Sequence, residues 1–201
     1  MTERDREKPV VLSTIYTRVG DDGTTALGDM SRVSKTDPRI AAYADVEEAN
    51  AALGVALALG EIDADVRTVL ARIQNELFDV GADLCTPVAE TDGASEFTPL
   101  RVETAYVERL EAECDRFNEG LSTLRSFILP GGTPAAALLH TARVTVRRAE
   151  RSAWSAAEAH GDTVSPLPAR YLNRLSDLLF ILCRRANHGG GDVLWQPGGQ
   201  R

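Results

Sequence analysis

Apolar residues recur every three or four positions through most of this chain, which is the spacing typical of amphipathic α-helices. Five segments share this period, and they cover residues 37–60, 63–85, 98–120, 133–161 and 168–187. The clearest series lies in the second segment and contains Val66, Val69, Leu70, Ile73, Leu77, Val80 and Leu84. The alternation typical of β-strands is confined to short apolar pieces such as Val10–Tyr16. The pattern therefore predicts an all-α fold, a five-helix bundle.

Residues at the segment ends support these limits. Three segments begin with a capping side chain followed by proline, namely Asp37-Pro38, Thr98-Pro99 and Thr133-Pro134. At 201 residues the chain is long enough for one domain with short tails. We predict a flexible N-terminal tail at 1–12, a helical-bundle domain at 13–190 and a C-terminal tail at 191–201.

Charge and composition exclude several classes of function. The formal net charge is −8, whereas a nucleic-acid-binding domain would present a basic surface, so we expect no nucleic-acid partner. No run of about 18 apolar residues occurs, so we expect no membrane span. The first residues lack the apolar region of a secretory signal, which predicts a cytoplasmic protein. The three cysteines are widely separated and form no Cys-x-x-Cys pair, which fits reduced thiols.

A long polar segment at 13–37 precedes the first predicted helix and is rich in glycine and threonine. Glycine lets a backbone approach a ligand closely, and clustered hydroxyl and N–H groups are natural donors to phosphate. Lys35 adds a cation that can contact a phosphate as a point charge. The segment is not a Walker A sequence, and a solvated turn is the alternative explanation. Its centre reads Thr17-Arg18-Val19-Gly20-Asp21-Asp22-Gly23-Thr24-Thr25.

Four arginines are clustered in the fourth predicted helix, at Arg143, Arg147, Arg148 and Arg151. Arg143, Arg147 and Arg151 are four residues apart, so a helix places them along one face. Neighbouring like charges on a helix repel by roughly 0.3 kcal/mol per pair. Either carboxylates from elsewhere in the fold or a polyanionic ligand must compensate, and the cluster alone does not decide between them.

The fifth predicted helix is polar on a face that would be apolar if the helix merely packed. Asn173, Ser176, Asp177 and Phe180 fall three or four residues apart on that face. On the fourth helix, Glu150 lies among the arginines, where its carboxylate can pair with one of them or ligate Mg²⁺ on bound phosphates. These polar positions favour a ligand-binding site over a purely structural bundle.

Together these motifs resemble the PduO-type ATP:cob(I)alamin adenosyltransferases over nearly the whole chain, from Ile15 to about Asn187. Five motifs in this order are more specific than any one of them alone. The matching stretches are IYTRVGDDGTT at 15–25, RVSKTDPRIAAYADVEEANAALG at 32–54, FILPGGT at 127–133, RRAERSAW at 147–154 and RYLNRLSDLLF at 170–180. The resemblance implies a five-helix bundle that assembles as a homotrimer with active sites at subunit interfaces.

The resemblance also implies a reaction in which the 5′-deoxyadenosyl group of ATP passes to cobalt(I) of a corrinoid and triphosphate leaves. It implies catalytic roles for Arg147, Glu150, Arg151 and Asn173, with Glu150 as the residue nearest a Mg²⁺ ion. Because Co(I) is already a strong nucleophile, no general base is expected, and the protein positions C5′ and stabilises the leaving group. The implied ATP-binding residues are Thr17, Arg18, Gly20, Asp21, Gly23, Thr24, Thr25, Lys35, Arg147, Arg148, Glu150, Arg151 and Asn173.

Other positions follow from the same resemblance or depart from it. Phe127 matches a corrinoid-side aromatic residue, with a core phenylalanine as the alternative, and Phe180 is expected to line the same pocket. The resemblance implies an ion pair between Glu47 and Arg143 across the subunit interface. The family often has lysine where this chain has Asp22, so one phosphate contact is either missing or supplied by Arg18.

Three other classes of function compete with an enzyme. The first is an ATP-binding sensor, or a chaperone that delivers adenosylcobalamin to a mutase. The second is a structural bundle, which the polar face and the glycine- and threonine-rich loop disfavour. A di-iron bundle is excluded because the sequence has no Glu-x-x-His pair. For an adenosyltransferase the implied partners are an electron-donating reductase and an adenosylcobalamin-dependent mutase.

Overall fold

A computed structural model of the chain describes residues 15–89, 98–187 and 190–198. Within these ranges the chain forms a hairpin and then five α-helices, which confirms the predicted helical bundle. The hairpin strands are β1 (Thr24–Ala26) and β2 (Arg32–Ser34), and the helices are α1 (Pro38–Leu59), α2 (Ala64–Cys85), α3 (Thr104–Asn118), α4 (Pro134–His160) and α5 (Leu167–Ala186). None of these described helices combines the length and apolarity needed to cross a membrane. The predicted tail at 1–12 lies outside the described residues.

Helix α4 is the centre of the bundle, since it packs against α1 on one side and α5 on the other. Helix α2 covers α1, and α3 covers α5. Gly60 brings the end of α1 against the start of α4, because a Cβ at this position would lie 3.1 Å from the Cα of Ala135. The contact between α1 and α4 is lined by fully buried small residues, Ala42, Ala49, Ala56, Ala142, Ala149 and Ala153. Small side chains let the two helix backbones approach closely.

Helix α3 begins at Thr104, so the predicted start at residue 98 was wrong. Tertiary hydrogen bonds keep the residues before it out of a helix. The guanidinium of Arg101 donates to Oδ1 of Asp83 at 2.9 Å, and the backbone N–H of Val102 donates to Oδ2 at 2.8 Å. Since the Asp83 carboxylate is buried at the end of α2, it needs these donors, and the segment is held extended against α2.

The end of the bundle beside the hairpin is fixed by polar contacts. Asp37 caps α1, because its Oδ1 accepts the N–H of Arg39 at 2.8 Å, and it also lies 2.8 Å from Nε2 of His160 at the end of α4. Burial raises the pKa of Asp37, but the Arg39 N–H and the His160 ring outweigh it and leave the pKa below its usual value. The buried Arg39 side chain donates to the carbonyl of Leu84 at 3.0 Å and to Oγ1 of Thr163 at 2.8 Å. These contacts join α1, α2 and α4 where the hairpin is attached.

Candidate functional site

The glycine- and threonine-rich loop folds into a hairpin in which Thr25 lies opposite Val33. Gly23 has a φ of +81°, a conformation that favours glycine, and its carbonyl accepts the N–H of Lys35 at 2.9 Å. Gly20 lies beneath the same lysine, because a Cβ there would be 2.9 Å from Nζ. The hairpin thus brings three of the predicted phosphate-binding residues together.

Asp22 organises this loop. Its Oδ1 accepts hydrogen bonds from the hydroxyl of Thr24 at 2.7 Å and from the N–H of Thr24 at 2.9 Å, and these bonds lower the pKa of the Asp22 carboxyl. Arg32 donates to the carbonyl of Val19 at 3.0 Å and to the Thr24 hydroxyl, so it joins both sides of the loop. The role of Arg32 cannot be seen in the sequence, because its partners become its neighbours only when the hairpin closes.

The remaining predicted loop residues are exposed. Arg18 has a φ of +63°, uncommon for a residue other than glycine, and its guanidinium lies 5.6 Å from the centre of the Tyr16 ring. The N–H of Asp21 donates to the carbonyl of Arg18 at 3.3 Å, which closes the turn. Thr17 is exposed beside it. The side chain of Arg18 is therefore available at the loop surface.

A second group of predicted residues lies on α4 and α5. The amide Nδ2 of Asn173 donates to Oε1 of Glu150 at 3.0 Å, so the structure brings these two predicted catalytic residues together. Both line a groove of about 430 Å³ between α3, α4 and α5. The other lining residues are Val107, Glu111, Trp154, Ala169, Arg170 and Arg174. Of the residues predicted on the polar face of the fifth helix, Asn173 lines this groove.

The structure divides the arginine cluster. Arg148 forms ion pairs with Glu48 and, at 3.5 Å, with Asp45 of α1, so carboxylates compensate this arginine within the chain. Arg147 is exposed, and no described residue forms a hydrogen bond or ion pair with its guanidinium. Arg151 donates only to the carbonyl of Arg147, at 3.3 Å, among the described residues. Arg147 and Arg151 therefore have no carboxylate partner in the described part of the chain.

Arg143 lies apart from the other arginines, with its guanidinium 5.9 Å from the centre of the Phe180 ring. Glu47 is exposed on α1, and within the described ranges it forms no ion pair with Arg143. Because that pair is predicted between subunits, it stays a prediction. The ring of Phe180 also contacts His140 edge to face, with a centroid separation of 6.5 Å.

His140 is buried, and within the described part of the chain neither of its ring nitrogens has a hydrogen-bond partner. Burial lowers its pKa below 6.5, the Arg143 charge lowers it further, and Asp192 partly opposes them. Unfolding releases the ring to its ordinary pKa, so below about pH 6.5 the unfolded chain binds more protons than the folded one. We therefore expect the free energy of unfolding to fall as the pH is lowered from about 7.5 to about 5.5.

Urea denaturation at both pH values, with and without His140→Leu, measures the contribution of this ring. The variant removes the titrating group, so its denaturation midpoint should depend less on pH than that of the parent. All other ionisable groups are the same in the two proteins, so their contributions cancel in the comparison. An equal pH dependence in the two proteins would contradict the prediction.

Phe127 is 77% exposed on the segment that precedes α4, which excludes the core position considered from the sequence. Its ring lies 6.1 Å from the ring of Trp195, and the N–H of Trp195 donates to its carbonyl at 2.7 Å. The N–H of Leu129 donates to the carbonyl of Val193 at 2.8 Å. The described C-terminal segment therefore packs on the strand-like residues before α4 and forms an exposed aromatic pair.

Among the described residues, the loop and the α4–α5 face are not joined by polar contacts. Within the described ranges, no hydrogen bond or ion pair connects the loop at 17–35 with Arg147, Glu150, Arg151 or Asn173. A glycine-rich loop with a nearby lysine and a face with unpaired arginines are both suited to a phosphorylated ligand. The fold and these surfaces define a helical-bundle protein of the nucleotide-binding class.

The chain belongs to the cobalamin adenosyltransferase family, since residues 15–186 match the sequence model of that family. This confirms the resemblance drawn from the five motifs. A corrinoid adenosyltransferase of Mycobacterium tuberculosis strain H37Rv is 62% identical over 192 residues, which cover 96% of this chain and 97% of the relative. A corrinoid adenosyltransferase of Bacillus subtilis is 36% identical over 189 residues, covering 90% of this chain and 92% of the relative.

Solved structures of PduO-type ATP:corrinoid adenosyltransferases have the same fold as this chain. A variant of the PduO-type ATP:corrinoid adenosyltransferase from Lactobacillus reuteri, complexed with cobalamin and ATP, superposes with a TM-score of 0.80. It is 32% identical in sequence, and the match covers 92% of this chain and 97% of that chain. A second variant of the same enzyme, complexed with ATP, gives a TM-score of 0.77 at 32% identity, over 90% of this chain and all of that one.

Proposed function

We propose that this protein transfers the 5′-deoxyadenosyl group of ATP to cobalt(I) of a corrinoid and releases triphosphate. Membership of the cobalamin adenosyltransferase family and the 62% identity to a corrinoid adenosyltransferase support this activity. One observation in the chain carries the proposal. Arg147 and Arg151 lie beside the Glu150–Asn173 pair without a carboxylate partner among the described residues. In a chain of net charge −8, such unpaired cations fit a polyanionic ligand.

The reaction is a displacement at C5′ of ATP. The electron pair of Co(I) forms the Co–C bond, the bond from C5′ to the triphosphate oxygen breaks, and triphosphate leaves with that electron pair. No proton needs to be removed from the nucleophile, so the chain needs no general base. Arg147 and Arg151 stabilise the charge that develops on the leaving group, and the bond to Glu150 fixes the amide of Asn173 beside the ribose.

Glu150 is the residue of the α4–α5 face that would hold Mg²⁺. The described residues contain no cluster of three or more His, Cys, Asp and Glu side chains suited to a metal. Proteins usually bind Mg²⁺ through one or two carboxylates together with substrate phosphates, and Glu150 supplies one such carboxylate. Bound there, Mg²⁺ would neutralise part of the triphosphate charge.

The loop residues from Thr17 to Thr25, together with Lys35, are proposed to bind the phosphates. Gly20 and Gly23 keep the backbone open to the ligand, and the contacts of Arg32 hold the loop in shape. The proposed role of Arg148 in ATP binding is indirect, because its ion pairs with Glu48 and Asp45 hold α4 against α1.

The corrinoid is proposed to lie against aromatic residues. Phe127 and Trp195 form an exposed pair, and Phe180 lies two-thirds along α5 beside His140. Apolar contact at the lower face of the ring would disfavour an axial base on cobalt and so ease its reduction. A reductase must supply the electron that forms Co(I), and an adenosylcobalamin-dependent mutase is the proposed recipient of the product in the cytoplasm.

We propose that the protein is a homotrimer and that its active sites are shared between subunits. Each site is formed by the loop of one subunit and the α4–α5 face of the next. The two surfaces share no hydrogen bond or ion pair among the described residues of one chain, which supports this arrangement. Arg147→Ala and Lys35→Ala, each expected to be inactive, should then complement each other. After unfolding and refolding as an equal mixture, about one quarter of the sites combine an intact loop with an intact face, so about a quarter of the parental activity should return.

The control for complementation is each variant refolded alone, which should stay inactive. Sedimentation of the parent should show a trimer. A mixture without recovered activity, or a monomer that is fully active, would contradict the shared site.

One assay tests the activity itself. The purified protein is mixed with ATP, Mg²⁺ and chemically reduced cobalamin, and the cobalt spectrum and triphosphate release are followed together. Adenosylcobalamin and triphosphate should form in equal amounts. ATP binding without turnover would instead support the ATP sensor or delivery chaperone. A protein that neither binds ATP nor forms adenosylcobalamin would leave only the structural bundle.

A further inference from the structure

Trp154 is an exposed aromatic residue with no packing role in the core. It lies on α4 one helical turn after Glu150, and 43% of its surface is exposed. Its side chain lines the same groove of about 430 Å³ as Glu150 and Asn173. This volume is in the range of roughly 300–1,000 Å³ that is usual for small-molecule sites. The indole ring of Trp154 is partly exposed beside the polar Glu150–Asn173 pair. Such an arrangement suits a planar ligand group.

We propose that Trp154 is the stacking platform for the adenine base of ATP. This inference rests on the proposed function, which places the ribose beside Glu150 and Asn173. Trp154 lies one turn of the helix beyond Glu150 and lines the same groove, so a base attached to a ribose at the Glu150–Asn173 pair lies within reach of the indole ring. The flat π face of indole stacks on nucleobases, and each such contact contributes strongly to binding.

The charges around the groove determine which end of ATP it accepts. Its lining contains two carboxylates, Glu111 and Glu150, and two guanidiniums, Arg170 and Arg174. Arg174 is already neutralised by Glu111, with 2.9 Å between Nε and Oε1, and by Asp177. The groove is therefore balanced in charge and offers little attraction to triphosphate.

The surface of α4 on the two turns before Trp154 has the opposite character. Arg147 and Arg151 are exposed there, and in the described part of the chain no carboxylate pairs with them. The triphosphate therefore lies on this cationic face, and the uncharged nucleoside extends into the balanced groove. This orientation places adenine, rather than a phosphate, against Trp154.

The chain has two tryptophans, which allows a direct optical test. In a Trp195→Phe background Trp154 is the sole indole, and addition of ATP should quench its fluorescence because the base stacks on it. In the same titration inorganic tripolyphosphate, which has no base, should bind without that quenching. No change in fluorescence at saturating ATP would overturn the proposal.

Substitution of Trp154 gives the second test. Trp154→Ala should weaken ATP binding roughly 5- to 100-fold, measured by calorimetry, while Trp154→Phe keeps an aromatic face and most of the affinity. Tripolyphosphate affinity should be the same in the parent and in both variants. Equal loss of ATP and tripolyphosphate affinity would overturn the proposal, because it would show a general effect on the site.

Two further outcomes separate this inference from the function on which it rests. ATP binding that is unchanged in Trp154→Ala, with turnover intact, would overturn the stacking role and leave the adenosyltransferase activity in place. A variant that sediments as a smaller species than the parent would assign Trp154 to the contact between subunits and also overturn the role. A parent protein that binds no ATP would overturn both proposals.

Discussion

Arg147→Ala is expected to lower the turnover number roughly 10²- to 10³-fold, the usual loss when one donor to a developing negative charge is removed. The residue is exposed beside the Glu150–Asn173 pair, and no described carboxylate competes for its charge. Loss of the Arg147 guanidinium should therefore weaken the stabilisation of the leaving triphosphate without changing the stability of the bundle. The stability of the variant should stay within about 0.5 kcal/mol of the parent, as for other exposed positions without partners.

The measurement combines turnover, thermal denaturation and circular dichroism on the same preparations. Arg67→Ala is the matched control and should keep full activity, since Arg67 is an exposed helical arginine whose guanidinium donates, among the described residues, only to the carbonyl of Leu57. Arg147→Lys keeps the charge but loses the two-pronged contact with phosphate oxygens, so its activity should fall between those of the parent and the alanine variant. If Arg147→Ala lost its helical content instead, the arginine would be a structural residue.

The helices could be predicted where local signals set their limits. The capping pairs at Asp37-Pro38 and Thr133-Pro134 act within one turn, and α1 and α4 begin at the two prolines. Thr98-Pro99 shows the same pattern but does not start a helix. There the decisive contacts join Asp83 with the chain 18 and 19 residues later, and a local pattern contains no information about such contacts.

The site could be predicted in part for the same reason. Glycine and threonine spacing indicated the loop, but the three-residue strands within it are too short to show an alternating pattern. The ion pairs that Arg148 makes with Asp45 and Glu48 depend on how α1 and α4 are aligned, and the sequence alone does not show that alignment. The motif at 147–154 contains Trp154 but does not single it out, because the exposure of a side chain cannot be seen in a sequence.

Glu76→Ala is expected to cost about 3 kcal/mol of folding stability, which is a large fraction of the stability of a typical domain. The carboxylate is 5% exposed and joins three helices. Its Oε1 accepts from Arg72 at 2.6 Å and from Arg109 at 3.1 Å, and its Oε2 accepts the hydroxyl of Tyr171 at 2.8 Å. The two arginines can regain water after the substitution, but the fully buried Tyr171 hydroxyl cannot and is left without an acceptor.

A double-mutant cycle with Tyr171→Phe separates the orphaned hydroxyl from the lost ion pairs. In the Tyr171→Phe background no hydroxyl remains to be orphaned, so Glu76→Ala should cost about 1–2 kcal/mol less in urea denaturation than in the parent. Glu76→Gln retains an acceptor for Tyr171 and should be milder than Glu76→Ala in the parent background. Additive effects in the cycle would contradict the coupling and show that Glu76 stabilises the bundle through its arginines alone. Glu76 does not line the groove beside Asn173, and among the described residues it forms no hydrogen bond or ion pair with Arg147 or Asn173. Any folded fraction of Glu76→Gln should therefore keep its turnover per molecule, which distinguishes the role of Glu76 from that of Arg147.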